Sequence, residues 1–429
     1  MNKKLKKSFE CWEKAEKIIP AGTQTLSKSP TQFVYGVAPI YLKSGKGCRV
    51  YDVDGNEYID YSMALGPIIL GYSFPDTNHA IKEQLKEGII FTLMHPLEIE
   101  LSELLIKTIP CAEMVRFGKN GSDVTTGAVR TARAYTGKDM IACCGYHGWQ
   151  DWYICTKSRN RGVPDFNKKL IKPFKYNDID SLYRIFRDNK DKIAGVIMEP
   201  VGVVEPENCF LEKVKELTHK NKALLIFDEV ITGFRVSLGG AQEYFKVTPD
   251  LACFGKAMAN GMPISSLVGK RKYMKVLDDV FFSFTFGGET LSINAAIATI
   301  KYIEKNKVIK HIWEMGAILK DGYNRLSKEY GVEKFTECIG LPPRTVITFK
   351  DNKGKESLLM KSYFQQECIG RKILFSAAHM PSFSHRKRDV DYTLKVYRDV
   401  MRLFANTVRR DDLKDRIRGK VISPVFRDA

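Results

Sequence analysis

The strongest constraint on the fold is a short apolar run that ends in two acids. Residues 224–230 read Leu-Leu-Ile-Phe-Asp-Glu-Val, which predicts a buried parallel strand with its acids at the C-terminal edge. A second short strand is predicted within 250–254, and it ends at Gly255 with Lys256 on the following turn. Because ligands bind at the carboxyl ends of strands in open α/β sheets, we expect Asp228 and Lys256 to share one ligand-binding edge.

An acid and a lysine at neighbouring strand ends suit the chemistry of pyridoxal phosphate (PLP). This cofactor forms a Schiff base with a lysine amine, and an anionic acid keeps its pyridine nitrogen protonated, so that the ring accepts electrons from the substrate carbon. Other interpretations remain open at this point. An Asp-Glu pair after a strand is also typical of a Mg²⁺ site or a helix N-cap, and Gly-Lys pairs are common in surface turns.

Two longer motifs carry a resemblance to a known family. They read Phe-Asp-Glu-Val-Ile-Thr-Gly-Phe-Arg over 227–235 and Phe-Gly-Lys-Ala-Met-Ala-Asn-Gly-Met-Pro over 254–263. Both resemble the class III aminotransferases, and the chain is most similar to the glutamate-1-semialdehyde aminomutase branch. The likeness extends from about Ile18 to about Arg388. It implies the α/β fold of PLP-dependent transferases of fold type I, which is aspartate-aminotransferase-like, with a mostly parallel seven-stranded sheet in a large domain and a smaller α+β domain.

The predicted elements and the resemblance together divide the chain into three segments. Residues 1–75 supply an N-terminal helix and strands that join the smaller lobe, residues 76–307 form the large PLP-binding domain, and residues 308–429 form the small α+β domain with a charged tail. A chain of 429 residues is long enough for one large core and a smaller lobe. The polar stretch 156–175 is expected to be a mobile active-site loop.

A glycine-bearing turn at 118–123 precedes a helix predicted over 124–135. Free backbone N–H groups and the helix dipole favour an anion at such a turn, and Ser122 adds a hydroxyl donor. The same residues are typical of a plain helix cap. Their place ahead of the Asp228 and Lys256 motifs favours a phosphate cup, and the resemblance implies that Gly121 and Ser122 bind the phosphate of PLP.

The resemblance implies further roles, one residue at a time. Tyr146 matches the aromatic residue that stacks on the pyridine ring, and Val230 matches the residue that packs on the opposite face. Glu199 lies near the active site in the family, and His147 is expected to be a neighbouring hydrogen-bonding group rather than an acid or base. Thr285 matches a threonine that reaches the PLP phosphate of the neighbouring subunit, so a homodimer with a shared active site is implied.

The chain departs from the aminomutase pattern in two places. Ala-Gly-Thr-Gln-Thr-Leu at 21–26 replaces Gly-Gly-Val-Asn-Ser-Pro in a loop that helps line the substrate pocket of the aminomutase, and Glu289-Thr290 replaces Asn-Pro. These differences favour an aminotransferase with a separate amino donor and a sugar-like or otherwise polar carbonyl substrate. The alternatives are the aminomutase itself, in which donor and acceptor are one molecule, and a PLP decarboxylase or racemase.

The net charge of +18 raises a hypothesis of a different class, a basic non-enzymatic protein that binds nucleic acid. Basic residues are spread along the chain among acids, and the densest cluster, 385–388, is followed at once by Asp389. A lysine-rich surface or an anionic substrate therefore explains the charge better than a nucleic-acid or membrane partner does.

Apolar runs fall short of the roughly twenty residues that span a bilayer, and the basic N-terminus lacks the apolar stretch of a signal peptide. The ten cysteines are scattered without a Cys-x-x-Cys pair, which indicates reduced thiols. We therefore expect a cytoplasmic enzyme that uses PLP and no metal.

Overall fold

The structure, a computed structural model, describes residues 5–424. The ends of the first and third predicted segments, residues 1–4 and 425–429, lie outside the described residues. Two compact units are present. The larger unit consists of Gly66–Ile68 and Pro75–Ile309, and the smaller unit consists of Ile69–Phe74 with the described parts of Met1–Leu65 and Lys310–Arg427. No helix within residues 5–424 is long and apolar enough to cross a membrane.

Helices and strands alternate along most of the larger unit, as expected for an α/β chain. The helices are α1 (Lys6–Ile18), α2 (Pro75–Glu87), α3 (Pro96–Thr108), α4 (Gly121–Thr136), α5 (Asp151–Ile154), α6 (Phe166–Leu170), α7 (Ile179–Asp188), α8 (Phe210–Lys220), α9 (Ala241–Tyr244), α10 (Arg271–Met274), α11 (Thr290–Lys305), α12 (Val308–Glu329), α13 (Leu358–Gly370) and α14 (Lys387–Arg410). The strands are β1 (Leu42–Lys46), β2 (Arg49–Asp52), β3 (Glu57–Asp60), β4 (Met114–Gly118), β5 (Met140–Cys144), β6 (Ile171–Pro173), β7 (Ile193–Met198), β8 (Leu224–Asp228), β9 (Leu251–Phe254), β10 (Ser265–Gly269), β11 (Thr336–Ile339), β12 (Thr345–Phe349), β13 (Ile373–Leu374) and β14 (Ala378–His379).

A seven-stranded sheet organises the larger unit, in the order β4-β10-β9-β8-β7-β5-β6. Only β10 runs antiparallel to its neighbours, and the remaining pairs are parallel, which confirms the predicted mostly parallel sheet. Strands β7 to β10 are buried at every position, and the mainly apolar sequences of β7, β8 and β9 are typical of such strands. Helix α4 packs on the sheet through Val124 and Ala128, in one core with Ile141, Ile197 and Ile226.

Two local expectations were wrong. Helix α4 begins at Gly121 rather than at residue 124, because the Asp123 carboxylate accepts the N–H groups of Lys119 and Asn120 and so caps the helix one turn earlier. The stretch 156–175 is not wholly a loop. It contains α6 and the edge strand β6, because Ile171 is buried and pairs with Ile141 of β5.

The smaller unit contains a four-stranded sheet, β1-β2-β3-β13, and a three-stranded sheet, β11-β12-β14. Strands β2 and β3 form a hairpin around Gly55, with Arg49 opposite Ile59 in an antiparallel pair. Its main core is rich in aromatic residues, including Tyr323, Phe364 and Phe404. This is an α+β arrangement, because helices α13 and α14 pack together beside antiparallel strands.

Candidate cofactor site

The acidic pair at the end of β8 divides between two roles. Asp228 is 5% exposed, and its Oδ1 accepts the N–H of Val230 at 3.1 Å. Glu229 is fully buried, and its carboxylate accepts the Thr232 hydroxyl and the N–H groups of Ala241 (2.7 Å) and Gln242 (2.8 Å). The helix-cap interpretation therefore applies to Glu229, which caps α9. The Oδ2 atom of Asp228 instead faces His147.

His147 is the partner of Asp228. Its Nδ1 lies 2.8 Å from Asp228 Oδ2, and its Nε2 lies 3.1 Å from the carbonyl oxygen of Cys144. The ring is 1% exposed, so the pair is shielded from water. Both ring nitrogens therefore face oxygen atoms, and these two contacts hold the imidazole in one orientation against the Asp228 carboxylate.

Val230 brings three predicted site segments together. An ideal Cβ placed on Gly121 would lie 3.0 Å from Val230 Cγ1, and one placed on Gly255 would lie 3.7 Å from the same atom. Gly255 precedes Lys256, which opens a single helical turn with a positive φ of 43°. Strand pairing places Asp228 opposite Cys253, three residues before Lys256. Gly121 and Gly255, the residue before Lys256, thus both approach the Val230 side chain, and Asp228 contacts the Val230 backbone.

The N-terminus of α4 forms a cradle for an anion. Asp123 takes the N–H groups of Lys119 and Asn120, and the first helical turn, from Gly121, has N–H groups without intrahelical partners. Gly148 closes one side of this cradle with a φ of +107°, because a Cβ there would lie 2.2 Å from Ser122 Oγ. The cradle is therefore suited to a phosphate group held by backbone N–H groups and the Ser122 hydroxyl.

Tyr146 lies beside this cradle with 51% of its surface exposed. Its backbone N–H donates to Glu199 Oε2 at 3.2 Å, and its ring packs edge-on against Tyr153 at a centroid distance of 5.6 Å. Burial and the negative charge of Asp228 raise the pKa of the Tyr146 phenol. An exposed ring face near the Asp228 carboxylate is a surface on which a flat cofactor can stack.

Thr285 does not belong to this cluster of contacts. It is exposed and lines another cavity of about 620 Å³ together with Phe91 and Arg116. Nearby, Glu289 forms an ion pair with Lys119, whose Nζ lies 2.9 Å from Oε2, and caps α11 by accepting the N–H of Leu291 at 2.7 Å. Glu289 is thus the N-cap of α11, and its ion pair with Lys119 connects this cap to the turn that precedes the phosphate cradle.

The residues present fit PLP on three structural grounds. The cradle excludes a side chain at Gly148 and offers donors to a phosphate. A buried carboxylate backed by an imidazole is suited to a protonated ring nitrogen, and a lysine follows the neighbouring strand. The fold and this arrangement define a PLP-dependent enzyme of fold type I.

Comparisons with known proteins place the chain within that class. A sequence model of the family "Aminotransferase class-III" matches residues 34–359, and the chain belongs to this family. It is 42% identical to the 3-aminobutyryl-CoA aminotransferase of Cloacimonas acidaminovorans over 92% of this chain and 97% of that protein. It is 35% identical to the glutamate-1-semialdehyde 2,1-aminomutase of Methanococcus maripaludis over 85% of this chain and 90% of that protein.

A solved structure gives the same result for the fold and the cofactor. The PLP internal aldimine form of the FumI protein of Sphingopyxis sp. MTA144 superposes with a TM-score of 0.89 at 26% identity, covering 97% of this chain and 99% of that chain. The chain is therefore a class III PLP enzyme of the aminotransferase and aminomutase type, as predicted from the motifs.

Sequence reasoning undervalued two residues of the site. His147 is the hydrogen-bonding neighbour that the sequence predicts. Its partner could not be predicted, because Asp228 lies 81 residues further along the chain. No role was predicted for Gly148, although a glycine directly after Tyr146 and His147 indicates a tight turn.

Proposed function

We propose that the protein is a PLP-dependent aminotransferase that moves an amino group from an amino donor to a separate polar carbonyl acceptor. The observation that carries the proposal is that Gly121, Asp228 and Gly255, the residue before Lys256, all meet at Val230. PLP, when bound, supplies an electron-accepting ring that stabilises charge on the substrate carbon. We assign the Schiff-base lysine to Lys256 and the pyridine-nitrogen partner to Asp228.

The remaining residues position the cofactor. Gly121 and Ser122 hold its phosphate, Tyr146 stacks on one ring face, and Val230 packs on the other. Glu199 fixes the backbone of Tyr146 through the 3.2 Å hydrogen bond. Lys256 would hold the cofactor through its Nζ, and the same amine would serve as a base held next to the substrate carbon from which a proton is moved.

The choice of an aminotransferase over an aminomutase rests on two observations. The relative that is 42% identical is named an aminotransferase, whereas the aminomutases are 35% identical. The loop at 21–26 differs in sequence from the aminomutase pattern, and Ala21 within it adopts a left-handed conformation with a φ of 58°. The Glu289-Thr290 departure no longer supports the choice, because its helix-capping role explains it.

The name of the 42% relative also suggests which acceptor to assay first. Loss of the amino group from a 3-aminobutyryl-CoA thioester leaves a 3-oxobutyryl-CoA thioester, which is a polar carbonyl compound with an anionic carrier. We propose this class of acceptor ahead of a sugar-like one, because a basic chain of net charge +18 suits an anionic substrate.

The test begins with the absorbance of the purified holoenzyme. We expect an absorbance band that borohydride fixes on Lys256, and a donor amine should convert the band to that of the amino form of the cofactor. A band that fails to form even with added PLP would favour the basic non-enzymatic alternative. Efficient conversion of glutamate-1-semialdehyde without a second amino donor would replace this proposal with the aminomutase.

We also propose that the enzyme is a homodimer with a shared active site. Apolar side chains are exposed on two segments of the larger unit, including Leu93 (77%), Met94 (83%) and Phe281 (83%), and Thr285 lies in the second segment. Such exposed apolar patches are typical of protein interfaces. Refolding inactive Lys256→Ala chains together with Thr285→Ala chains should raise activity above either alone, because one hybrid site is intact. Additive activities would place both residues in one subunit's site.

A cytoplasmic location completes the proposal. All ten cysteines are free thiols, and seven of them are buried, namely Cys48, Cys111, Cys143, Cys155, Cys253, Cys338 and Cys368. Free buried thiols suit a reducing compartment. Fractionation of the source cells, followed by detection of the protein with an antibody, tests the location directly.

A further inference from the structure

The buried side chain of Tyr153 contacts two neighbouring residues of the cofactor site, Tyr146 and His147. Its ring centroid lies 5.6 Å from that of Tyr146 at an interplanar angle of 88°, and 5.2 Å from that of His147 at 70°. Both are edge-on arrangements, which aromatic pairs favour. One ring thus packs against the residue that we assign to the cofactor face and the residue that orients Asp228.

The Tyr153 hydroxyl holds the turn that carries these two residues. It donates to the carbonyl oxygen of Gly145 at 2.7 Å. The N–H of Tyr146 belongs to the same peptide group, and it donates to Glu199 Oε2 at 3.2 Å. Because a peptide group is planar, a hydrogen bond at each of its two polar atoms fixes the orientation of the whole plane. The direction in which the Tyr146 side chain leaves the backbone follows from that plane.

The Gly145 backbone has no room to take another position on the Glu199 side. Its φ is +110°, and a Cβ added to it would lie 2.6 Å from Glu199 Oε2. The carboxylate therefore packs closely against one side of the turn, while the Tyr153 hydroxyl binds its carbonyl oxygen. The turn is held between these two side chains.

Helix α5 brings Tyr153 back to this turn. The Tyr153 N–H donates to the carbonyl oxygen of Gln150 at 2.9 Å, in the first turn of the helix. The preceding residue, Trp152, anchors α5 to helix α4, because its indole N–H donates to Thr126 Oγ1 at 2.9 Å. Its indole is also stacked on His147, with ring centroids 6.2 Å apart and an interplanar angle of 14°. The position of Tyr153 is therefore tied to the same helix that begins at the phosphate cradle.

The Tyr153 hydroxyl is suited to donating a hydrogen bond and not to transferring a proton. Burial raises the pKa of the Tyr153 phenol, and the charges of Glu199 and Asp228 add to this effect. The phenol thus keeps its proton and remains a donor to the Gly145 carbonyl oxygen. A role for Tyr153 in catalysis must therefore act through the residues that it holds.

Packing alone does not explain the hydroxyl. Tyr153 belongs to the main hydrophobic core of the larger unit, together with Trp152 and Cys155. A phenylalanine ring would supply the same apolar contacts without a polar atom that needs a partner. The partner that the hydroxyl has is the backbone of the cofactor turn.

We propose that Tyr153 is a positioning residue, whose hydroxyl sets the peptide group that aims Tyr146 and whose ring braces His147. This proposal rests on the proposed function and adds a residue that acts on the cofactor through two others. Nothing in it requires Tyr153 to touch the cofactor or the substrate.

The first test is Tyr153→Phe, which removes only the hydroxyl. We expect the Kd for PLP to rise about fivefold and the rate of the amino-donor half-reaction to fall about fivefold, as for the loss of one hydrogen bond. The absorbance band of the bound cofactor should shift, because the Tyr146 ring no longer has a fixed position. An unchanged band, Kd and rate would overturn the proposal.

Tyr153→Leu removes the ring contacts as well as the hydrogen bond. We expect the half-reaction rate to fall at least about fiftyfold, because the Tyr146 and His147 rings both lose their edge-on partner. Equal effects of Tyr153→Phe and Tyr153→Leu would overturn the role of the ring. Tyr153→Phe decides the question by itself if Tyr153→Leu is poorly folded.

Tyr323→Phe is the matched control. The Tyr323 hydroxyl is also buried and lies 2.6 Å from Thr336 Oγ1, but it belongs to the smaller unit. Its loss should lower Tm by about as much as Tyr153→Phe does, while the band, the Kd for PLP and the rate stay within twofold of wild type. A similar shift of the band in Tyr323→Phe would attribute the effect to general destabilisation and overturn the proposal.

A double-mutant cycle tests whether the hydroxyl acts through Tyr146. In a Tyr146→Ala background the ring that the turn positions is absent, so the effect of Tyr153→Phe on the Kd for PLP should shrink from about fivefold to less than twofold. A full fivefold effect in that background would overturn the proposed route.

Failure of the aminotransferase function would be seen separately. It would appear as a wild-type holoenzyme whose cofactor band no donor amine converts. The Kd for PLP and the position of the band require only a bound cofactor, so the Tyr153→Phe comparison retains its meaning in that case.

Discussion

The imidazole Nδ1 of His147 lies 2.8 Å from Asp228 Oδ2, and its Nε2 lies 3.1 Å from the Cys144 carbonyl oxygen. The carbonyl fixes the ring orientation, and the ring then holds the carboxylate that we assign to the cofactor nitrogen. His147 is thus a positioning residue that acts through Asp228. Measurements of kcat and of the cofactor absorbance band can distinguish this positioning role from that of an ordinary buried histidine.

Replacement of His147 by Asn should lower kcat by about ten- to a hundredfold, because Asp228 loses the imidazole that orients its carboxylate. The absorbance band of the bound cofactor should shift at the same time, which a merely structural role would not cause. His219→Asn is the control, because His219 forms a contact of the same 2.8 Å length with Asp250 but is 40% exposed at the side chain. An unshifted band and normal kcat in His147→Asn would contradict the assignment.

Replacement of Lys256 by Ala should abolish turnover and the borohydride-stable attachment of PLP, since no amine remains at this strand end. Asp228→Ala should retain the attachment but lower kcat by at least about a hundredfold, because the ring loses its stabilising anion. Peptide mapping after borohydride reduction identifies the modified lysine. Lys275→Ala, which removes an exposed lysine paired with Asp278, should leave both properties unchanged. Attachment at a lysine other than Lys256 would refute the assignment.

Replacement of Gly148 by Ala should weaken PLP binding about ten- to a hundredfold. The new Cβ would collide with Ser122 Oγ at 2.2 Å and push the phosphate cradle apart, in addition to the cost of a φ of +107°. Gly162→Ala is a matched control, because Gly162 has a φ of +92° with no atom within 4 Å of an added Cβ. Titration of the apoenzymes with PLP measures both. Equal losses of affinity would mean that backbone strain, and not contact with Ser122, is responsible.

Glu289 should stabilise the fold in a pH-dependent way. Burial opposes ionisation, but hydrogen bonds from Ser292 and Lys119 and the charge of Lys119 outweigh it and lower the pKa of Glu289. A folded pKa below the unfolded value gives stability that is complete above about pH 4.3 and is lost as the pH falls through the lower folded pKa. Glu289→Gln should therefore reduce the unfolding free energy by about 1–3 kcal/mol at pH 7.

Thermal unfolding at a series of pH values tests this prediction. The Tm difference between wild type and Glu289→Gln should be constant from pH 7 to about pH 5 and shrink below it. Glu83→Gln is the control, because Glu83 pairs with Lys86 at 2.8 Å on an exposed surface, and its loss should have no measurable effect on Tm. A Tm difference that grows as the pH falls would exclude the ion pair with Lys119 as the cause.

Local sequence determined much of the framework. The run 224–228 is apolar at four consecutive positions before its acid, and such a run has no polar face to expose, so a buried strand was the required solution. Strand β7, which is apolar apart from Gly195, is buried at every position for the same reason. The motifs at 227–235 and 254–263 predicted the family through their resemblance to the class III aminotransferases, and the acid and lysine within them suit the chemistry of PLP.

Tertiary structure decided which side chains meet. Asp228 and Glu229 are adjacent in sequence, yet one faces His147 and the other caps α9, because neighbouring side chains in an extended chain point to opposite sides. The sheet order differs from chain order, so β5 lies beside β7 and delivers His147 to Asp228. The ion pair between Glu289 and Lys119, which are 170 residues apart, is equally non-local. Sequence patterns report the environment of a residue, whereas the choice of its partner depends on packing between distant segments.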